Sequence, residues 1–505
     1  MMEGTVSDRA EAALRRAFGL RSFRLGQREA VSAVLSGRDV VVVMPTGSGK
    51  SLCYQLPALL MAGVTLVISP LISLMNDQVA RLAALGISAT CVNSGLPARE
   101  VARRLEGLAR GVYKLFYVAP ERFRSAAFRA RLREANVSLV AVDEAHCISQ
   151  WGHDFRPDYL DVGKFLAEVP NARIMALTAT ATPAVRADVQ RQLRLGEAPR
   201  QAPFVEVLGF ARPNLHLAVT ACADAEAKMA RLQALVRRHR TGIVYVATRR
   251  HAVEVFERLC RALPARWGVQ VLLYHGAMTD AQRALAQEEF RTAKQVVVVA
   301  TNAFGMGIDR ADIRFVAHWD VPGGVEAYYQ EVGRAGRDGR PAECELLFSY
   351  VDVKVQEYFV AGANPDVATA LSVFRLMRAR GKAPFAVDAE GWAKTLGIRN
   401  GIAVATVVNV LLSRGLLARA DEGRPLICRL DAAASEAEVQ RIFAARREKL
   451  FRDRRRLRAM VDFAYLETCR HRYILDYFGD QSPDGVCGGC DNCDAQAQRG
   501  ASHAA

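Results

Sequence analysis

The sequence predicts an α/β chain of two tandem parallel-sheet domains, followed by a winged-helix-like segment and a small helical zinc-binding module. Three observations carry this prediction: two successive sets of continuous apolar runs, a Gly-Lys-Ser loop after the first run, and four cysteines near the end of the chain. Runs that are apolar at every position belong to strands buried on both faces, and so to parallel sheets covered by helices. A chain of 505 residues, 51% hydrophobic and 24% charged, can bury several cores.

In the first set the runs are VVVVM (40–44), VTLVIS (64–69), KLFYVA (114–119), LVAVDE (139–144) and RIMALT (173–178). The second set repeats the alternation with GIVYVA (242–247), VQVLLYH (269–275), QVVVVA (295–300), IRFVAHW (313–319) and CELLFSY (344–350). GEAPRQAPF (196–204) is the expected link, giving domains at 1–205 and 206–355.

Beyond about residue 360 the apolar runs stop. GWAKTLGI and GIAVATVVNVLLSRGLL read as helices joined by RN, and LARADEGRPLICRL as two short strands around a turn. That order makes 356–435 a winged-helix-like segment, with a plain helical spacer as the alternative. Residues 436–466 read as one long basic helix, with Phe443, Leu450, Leu457 and Ala464 at seven-residue spacing. Residues 441–458 carry nine basic residues against two acidic ones. Together with the cysteines this helix forms the expected zinc module, 436–494, and 495–505 a flexible tail.

A net charge of +15 favours an anionic partner, nucleic acid being the commonest, or serves solubility alone. No run approaches the roughly 20 apolar residues of a membrane span, and the N-terminus lacks the pattern of a signal peptide. Seven of the eleven cysteines are scattered singly through apolar stretches, as in a reducing compartment. The expectation is a cytoplasmic protein, nucleoid-associated if bacterial, with no membrane partner.

VVVMPTGSGKS runs from a buried strand through Thr46, Gly47, Ser48, Gly49, Lys50 and Ser51 into a helix. Met44 stands where the strict phosphate-loop pattern has its first glycine. Backbone N–H groups of such a loop point at phosphate oxygens; Lys50 would sit on the β- and γ-phosphates and Ser51 on Mg²⁺. At the end of another buried strand, Asp143 would hold Mg²⁺, directly or through water. Glu144 would orient or deprotonate the attacking water. A chance Gly-Lys-Ser, or two acids that merely cap a helix, are the bland alternatives.

Cys469, Cys487, Cys490 and Cys493 form a tetrahedral thiolate zinc pattern, with His471 as a possible substitute ligand. A disulfide fits poorly in a chain without export features, and a redox motif needs fewer thiols. The stretch AHCISQWGHDFRPDY (145–159) stays open between a metal site, a core segment and a ligand-touching surface.

Taken in order, FGLRSFRLGQREAV, MPTGSGKS, SPLISLMNDQ, VDEAHCISQWGHDFRPDY, LTATAT, YHGAM, ATNAFGMGID and YYQEVGRAGRDG resemble the motifs of superfamily 2 helicases. In detail they resemble RecQ-type DNA helicases, over residues 10–350 and again over 436–494. The resemblance implies two RecA-like domains with ATP between them, Gln27 reading the adenine edge and Arg24 beside the nucleotide. Leu20 replaces the aromatic residue that many relatives stack on adenine. Arg334 and Arg337, three residues apart and so one helical turn, would face the γ-phosphate together, with Gln330 near the same region. LTATAT would couple nucleotide state to strand grip. SPLISLMNDQ, YVAPER and ATNAFGMGID would face DNA. His146, Gln150, Trp151, His153, Phe155 and Arg156 would form the aromatic-rich loop that senses single-stranded DNA, and this disfavours the metal reading of 145–159.

The implied cofactors are ATP, Mg²⁺ and Zn²⁺. The implied activity is 3′→5′ unwinding in DNA recombination and repair. Single-stranded and duplex DNA, as forks or tailed duplexes, are the implied partners, with a single-strand-binding protein as a protein partner. Two departures stand out: the winged-helix-like segment precedes the zinc pattern instead of following it, and no further nucleic-acid-binding domain follows within these 505 residues. The alternatives are a nucleic-acid-stimulated translocase or RNA helicase, and a non-catalytic winged-helix regulator containing zinc.

Overall fold

A computed structural model describes the chain except at residues 1–5, 46, 94, 150, 153–155, 157, 198–199, 306–309, 382, 421–425, 481–486, 488 and 504–505. Its first sheet has seven parallel strands in the order Ala89–Val92, Leu115–Val118, Val64–Ile68, Val137–Val142, Arg173–Thr178, Val40–Val43 and Phe204–Val207. Val40–Val43 lies between two neighbours and is buried at every residue, as its unbroken valine run predicts. The expected link at 196–204 runs instead into an edge strand, Phe204–Val207, which pairs with Val40–Val43; the sheet therefore extends past residue 205.

The second sheet has six parallel strands: Gln270–Tyr274, Val296–Ala300, Gly242–Tyr245, Phe315–His318, Ala342–Phe348 and Leu215–Ala221. In both sheets the strand ends that carry motifs open toward the loops where ligands of parallel α/β sheets bind.

Residues 367–444 form a separate unit with its own core. Helices Val367–Ala379, Ala389–Thr395 and Gly401–Ser413 pack with a three-stranded sheet, Phe385–Ala386, Ile427–Leu430 and Leu417–Arg419, around Phe374, Trp392, Val404 and Leu411. This is a helix-turn-helix with a β wing. The single basic helix expected over 436–466 is two helices, Glu436–Ala444 and Arg447–Ala464. Phe443 is buried in the winged unit and Leu457 in the helicase core, so the seven-residue spacing spans two different cores. Among the described residues no helix is long and apolar enough to cross a membrane.

Candidate functional site

The phosphate loop closes on itself. Lys50 Nζ donates to the Met44 carbonyl at 3.0 Å and to the Pro45 carbonyl at 3.3 Å. Burial lowers the Lys50 pKa, against the pull of Glu144 and Asp143. Gly47 has φ +86°, a left-handed conformation that favours glycine, and a Cβ there would meet Arg337 Cγ and Cδ at 3.3 Å. Arg337 of the second domain thus lies directly against the loop of the first.

Burial, then the neighbouring Glu144, raises the Asp143 carboxyl to about 7. Two crowded carboxylates beside a phosphate loop are the donor set that a divalent cation relieves, so the residues present fit Mg²⁺. Glu144 itself has φ +47°, a strained value for a residue with a side chain, placed where the strand turns into the next helical turn.

Beside Glu144 a hydrogen-bonded chain that starts at His146 leads across the cleft. His146 Nδ1 lies 3.4 Å from Glu144 Oε2 and is hydrogen-bonded to Thr178 Oγ1 at 2.8 Å. Thr178 Oγ1 accepts from the Thr180 N–H at 3.2 Å, and Thr180 Oγ1 accepts from Gln330 Nε2 of the second domain at 3.0 Å. LTATAT therefore sits between the catalytic candidates and the opposite domain.

Two expectations are placed differently. Gln27 is buried, and its amide donates to the Ser48 and Gly49 carbonyls at 3.1 and 3.0 Å while its oxygen accepts from the Arg24 N–H. Arg24 Nη1 donates to the Gly47 carbonyl at 2.8 Å, so both residues hold the phosphate loop. The two arginines do not share one helical face, because the helix Val325–Val332 ends before them. Arg337 reaches the phosphate loop, whereas Arg334 is buried in its own domain and donates to the Gly305 carbonyl.

The loop after the acidic pair is tied down at both ends. The Arg156 N–H donates to the Cys147 carbonyl, and Tyr159 Oη donates to the Asp143 carbonyl at 3.0 Å. A Cβ at Gly152 would lie 2.3 Å from the His146 carbonyl oxygen, so only glycine fits there. Trp151 is 45% exposed and carries the Arg452 guanidinium 4.7 Å above its ring. Arg456 donates to the Trp151 and Gly152 carbonyls. Both arginines belong to Arg447–Ala464, whose basic composition was visible in the sequence but whose target was not. Gln150, His153 and Phe155, and Thr46 of the phosphate loop, lie outside the described residues. No metal-ligand cluster occurs at 145–159 among the described residues. A cavity of about 780 Å³ beside this loop is lined by Ser73, Gly152, Arg156, Phe304, Arg334 and Arg456, from both domains and the basic helix.

The sulfurs of Cys469, Cys487, Cys490 and Cys493 all lie within 4.8 Å of one another. A tetrahedron with metal–sulfur bonds near 2.3 Å needs separations of about 3.8 Å, so the set fits Zn²⁺. His471 is not a ligand: its Nε2 is hydrogen-bonded to the Leu215 and Gly489 carbonyls at 3.0 and 3.2 Å. Arg470 forms a two-point ion pair with Asp491, whose carboxylate also accepts from the Val219 N–H. The cysteine loop is therefore fastened to the strand Leu215–Ala221.

Two RecA-like domains, with a phosphate loop and acidic pair facing an arginine across one cleft, define a helicase-type nucleoside triphosphatase core. Residues 24–189 match the DEAD/DEAH box helicase family, 227–339 the helicase conserved C-terminal domain, and 435–494 the RecQ zinc-binding family. The chain is 39% identical over 489 residues to the ATP-dependent DNA helicase RecQ of Bacillus subtilis, covering 96% of this chain and 67% of that protein. It is 45% identical over 335 residues to the ATP-dependent DNA helicase RecQ of Pasteurella multocida, covering 66% of this chain and 51% of that one. The fold is similar to that of the Mycobacterium smegmatis helicase Lhr bound to single-stranded DNA and AMP-PNP, with a TM-score of 0.54 and 21% identity over 87% of this chain and 61% of that one. This chain belongs to the RecQ family of ATP-dependent DNA helicases.

Proposed function

We propose that the chain unwinds tailed duplexes and forks by moving 3′→5′ along one strand, in recombination and repair. The hydrogen bonds that run from His146, beside Glu144, through Thr178 and Thr180 to Gln330 carry this reading. They join the hydrolytic candidates to the second domain, and the aromatic loop leaves the same strand end.

Lys50 and the loop Gly47–Ser51 would bind the phosphates, while Ser51 and Asp143 would hold Mg²⁺, which neutralises phosphate charge. Glu144 would position or deprotonate the attacking water, and Arg337 would stabilise the developing charge from across the cleft. Arg334, locked onto Gly305, would position the wall that carries Arg337. Arg24 and Gln27 would set the loop's shape. Trp151 and Arg156 would report DNA to Glu144 through His146, and a single-strand-binding protein would supply strands to the same cleft.

The test is strand separation on duplexes with a 3′ or a 5′ tail, together with ATPase stimulation by single-stranded DNA and RNA. Only the 3′-tailed duplex should open, and DNA should stimulate more than RNA. Glu144→Gln should bind ATP yet hydrolyse it about 100-fold more slowly. Opening of the 5′-tailed duplex would reverse the polarity, and equal stimulation by RNA would favour an RNA helicase.

A further inference from the structure

The LTATAT segment reaches the aromatic loop by a second route, through the helix Pro183–Gln192. This helix starts where LTATAT ends. Thr182 caps it, its Oγ1 accepting from the Val185 N–H at 3.4 Å, and Pro183 fills its first turn. Two residues before that cap, Thr180 accepts from Gln330 of the second domain. The zinc module lies against the same end, where a Cβ at Gly479 would come 2.7 Å from Pro183 Cγ. The N-terminal end of one rigid element is thus met by both the second domain and the zinc module.

Five residues into the helix, about 7.5 Å along its axis, Asp188 is buried. Its Oδ1 takes the Arg191 guanidinium and the Gln192 amide, the latter at 3.3 Å. Its Oδ2 accepts from the buried Ser149 hydroxyl at 2.7 Å, and that hydroxyl oxygen accepts in turn from the Trp151 N–H at 3.1 Å. The Ser149 carbonyl also accepts from the Gly152 N–H at 2.9 Å, which closes a tight turn around Trp151. A hydroxyl that donates and accepts at once is held in direction by both partners. The backbone at Trp151 is therefore aimed by where Asp188 sits. Buried carboxylate and hydroxyl groups are costly to leave unpaired, so Ser149 follows Asp188 when the helix shifts.

We propose that Asp188 is a positioning residue: the helix Pro183–Gln192 carries the state of the nucleotide cleft from Thr180 to Ser149, and the bond between Asp188 and Ser149 sets the Trp151 turn for DNA. The path leaves out the side chains of Glu144 and His146. Domain closure sensed at Gln330 is passed to the loop directly, and not only through the hydrolytic candidates. The inference rests on the reading that Trp151 reports DNA.

The experiment measures ATP hydrolysis by the full chain with and without a single strand, over a range of strand concentrations. The stimulated maximum and the concentration at half-stimulation are then read separately. Asp188→Ala and Ser149→Ala should each cut the ratio of stimulated to unstimulated rate about tenfold. The double variant should cut it no further, because both changes remove one bond. Asp188→Asn keeps an acceptor for the Ser149 hydroxyl and should hold the ratio within about twofold of the parent. Arg191→Ala removes the other neighbour of Asp188 and should leave the ratio at the parent value, whatever it does to the melting temperature. If Asp188→Ala does not fold, Ser149→Ala and Asp188→Asn decide the matter. A parent-like ratio in folded Ser149→Ala would overturn the proposal, as would multiplied losses in the double variant or a full loss in Asp188→Asn. Trp151→Ala separates the two failures. A parent-like ratio there sinks the reading of the loop as DNA sensor, and this inference with it. Loss there beside a parent-like Ser149→Ala sinks this inference alone.

Discussion

The second helicase domain meets the first at the nucleotide cleft and meets the zinc module on another side, and the two joints differ in what they are made of. At the cleft the contacts are polar and few: Gln330 on Thr180, and Arg337 against Gly47. At the zinc module polar ties from Arg470, His471 and Asp491 accompany a buried aromatic cluster. Phe210, between the strands Phe204–Val207 and Leu215–Ala221, stacks on Phe478 with ring centroids 4.4 Å apart and an interplanar angle of 8°, and Tyr329 packs against both. Polar contacts exchange with water or ligand at little net cost, so they can be remade at each turnover. Buried aromatic contacts cannot be opened without losing several kcal/mol. The first joint suits a gate and the second a hinge pin.

The largest effect expected is on the pin. Chelation of zinc, or Cys490→Ser, should unfold the module and abolish unwinding, because a structural zinc site holds its fold by metal binding. Zinc content and thermal unfolding read this, and an unaltered melting curve would break the contrast. Phe210→Ala comes next, with an expected loss of about 3–5 kcal/mol in denaturant unfolding. Gln330→Ala is its counterpart: stability should stay within about 0.5 kcal/mol while DNA-stimulated ATPase falls. If Gln330→Ala destabilises as much as Phe210→Ala, the two joints are not different in kind.

Smaller effects should come from the aromatic loop. Trp151→Ala should spare ATP binding but remove DNA stimulation, at a cost of about 1–3 kcal/mol in DNA affinity. Arg452→Ala should have a milder effect, about 0.5–1 kcal/mol, because one cation–π contact is lost. The smallest effect belongs to neither joint. The hydrogen bond to Asp320 raises the His251 pKa, so its stabilisation is full below the ordinary value near 6.5 and is lost as pH rises through the raised one. His251→Ala should therefore lower the melting temperature more in acid than in mild alkali.

What the sequence revealed follows from how locally each feature is encoded. Val40–Val43 announces itself because both its faces are buried. Phe204–Val207 alternates half-buried with exposed residues at the sheet edge, and its apolar signal is too weak to separate it from a linker. That Lys50, Asp143, Glu144 and Arg337 gather around one cleft was legible because each lies in a compact local motif. The grip of Arg456 on Trp151 joins residues 305 apart, and no local pattern records it. The break between Ala444 and Arg447 was hidden because the apolar spacing continues through it while the packing partner changes.

The seating of the cysteine loop has one more consequence. Leu215–Ala221 is the outermost strand of its sheet, and its free side is met by Gly489 and Cys490 through the bond from the Leu217 N–H to the Gly489 carbonyl. An uncovered parallel edge rich in leucine and valine is a template for another chain. Stripped of its metal, this protein should therefore do more than lose an appendage. It should become sticky, with zinc-depleted chains pairing strand to strand, so that the ion acts as a guard on solubility as well as a brace.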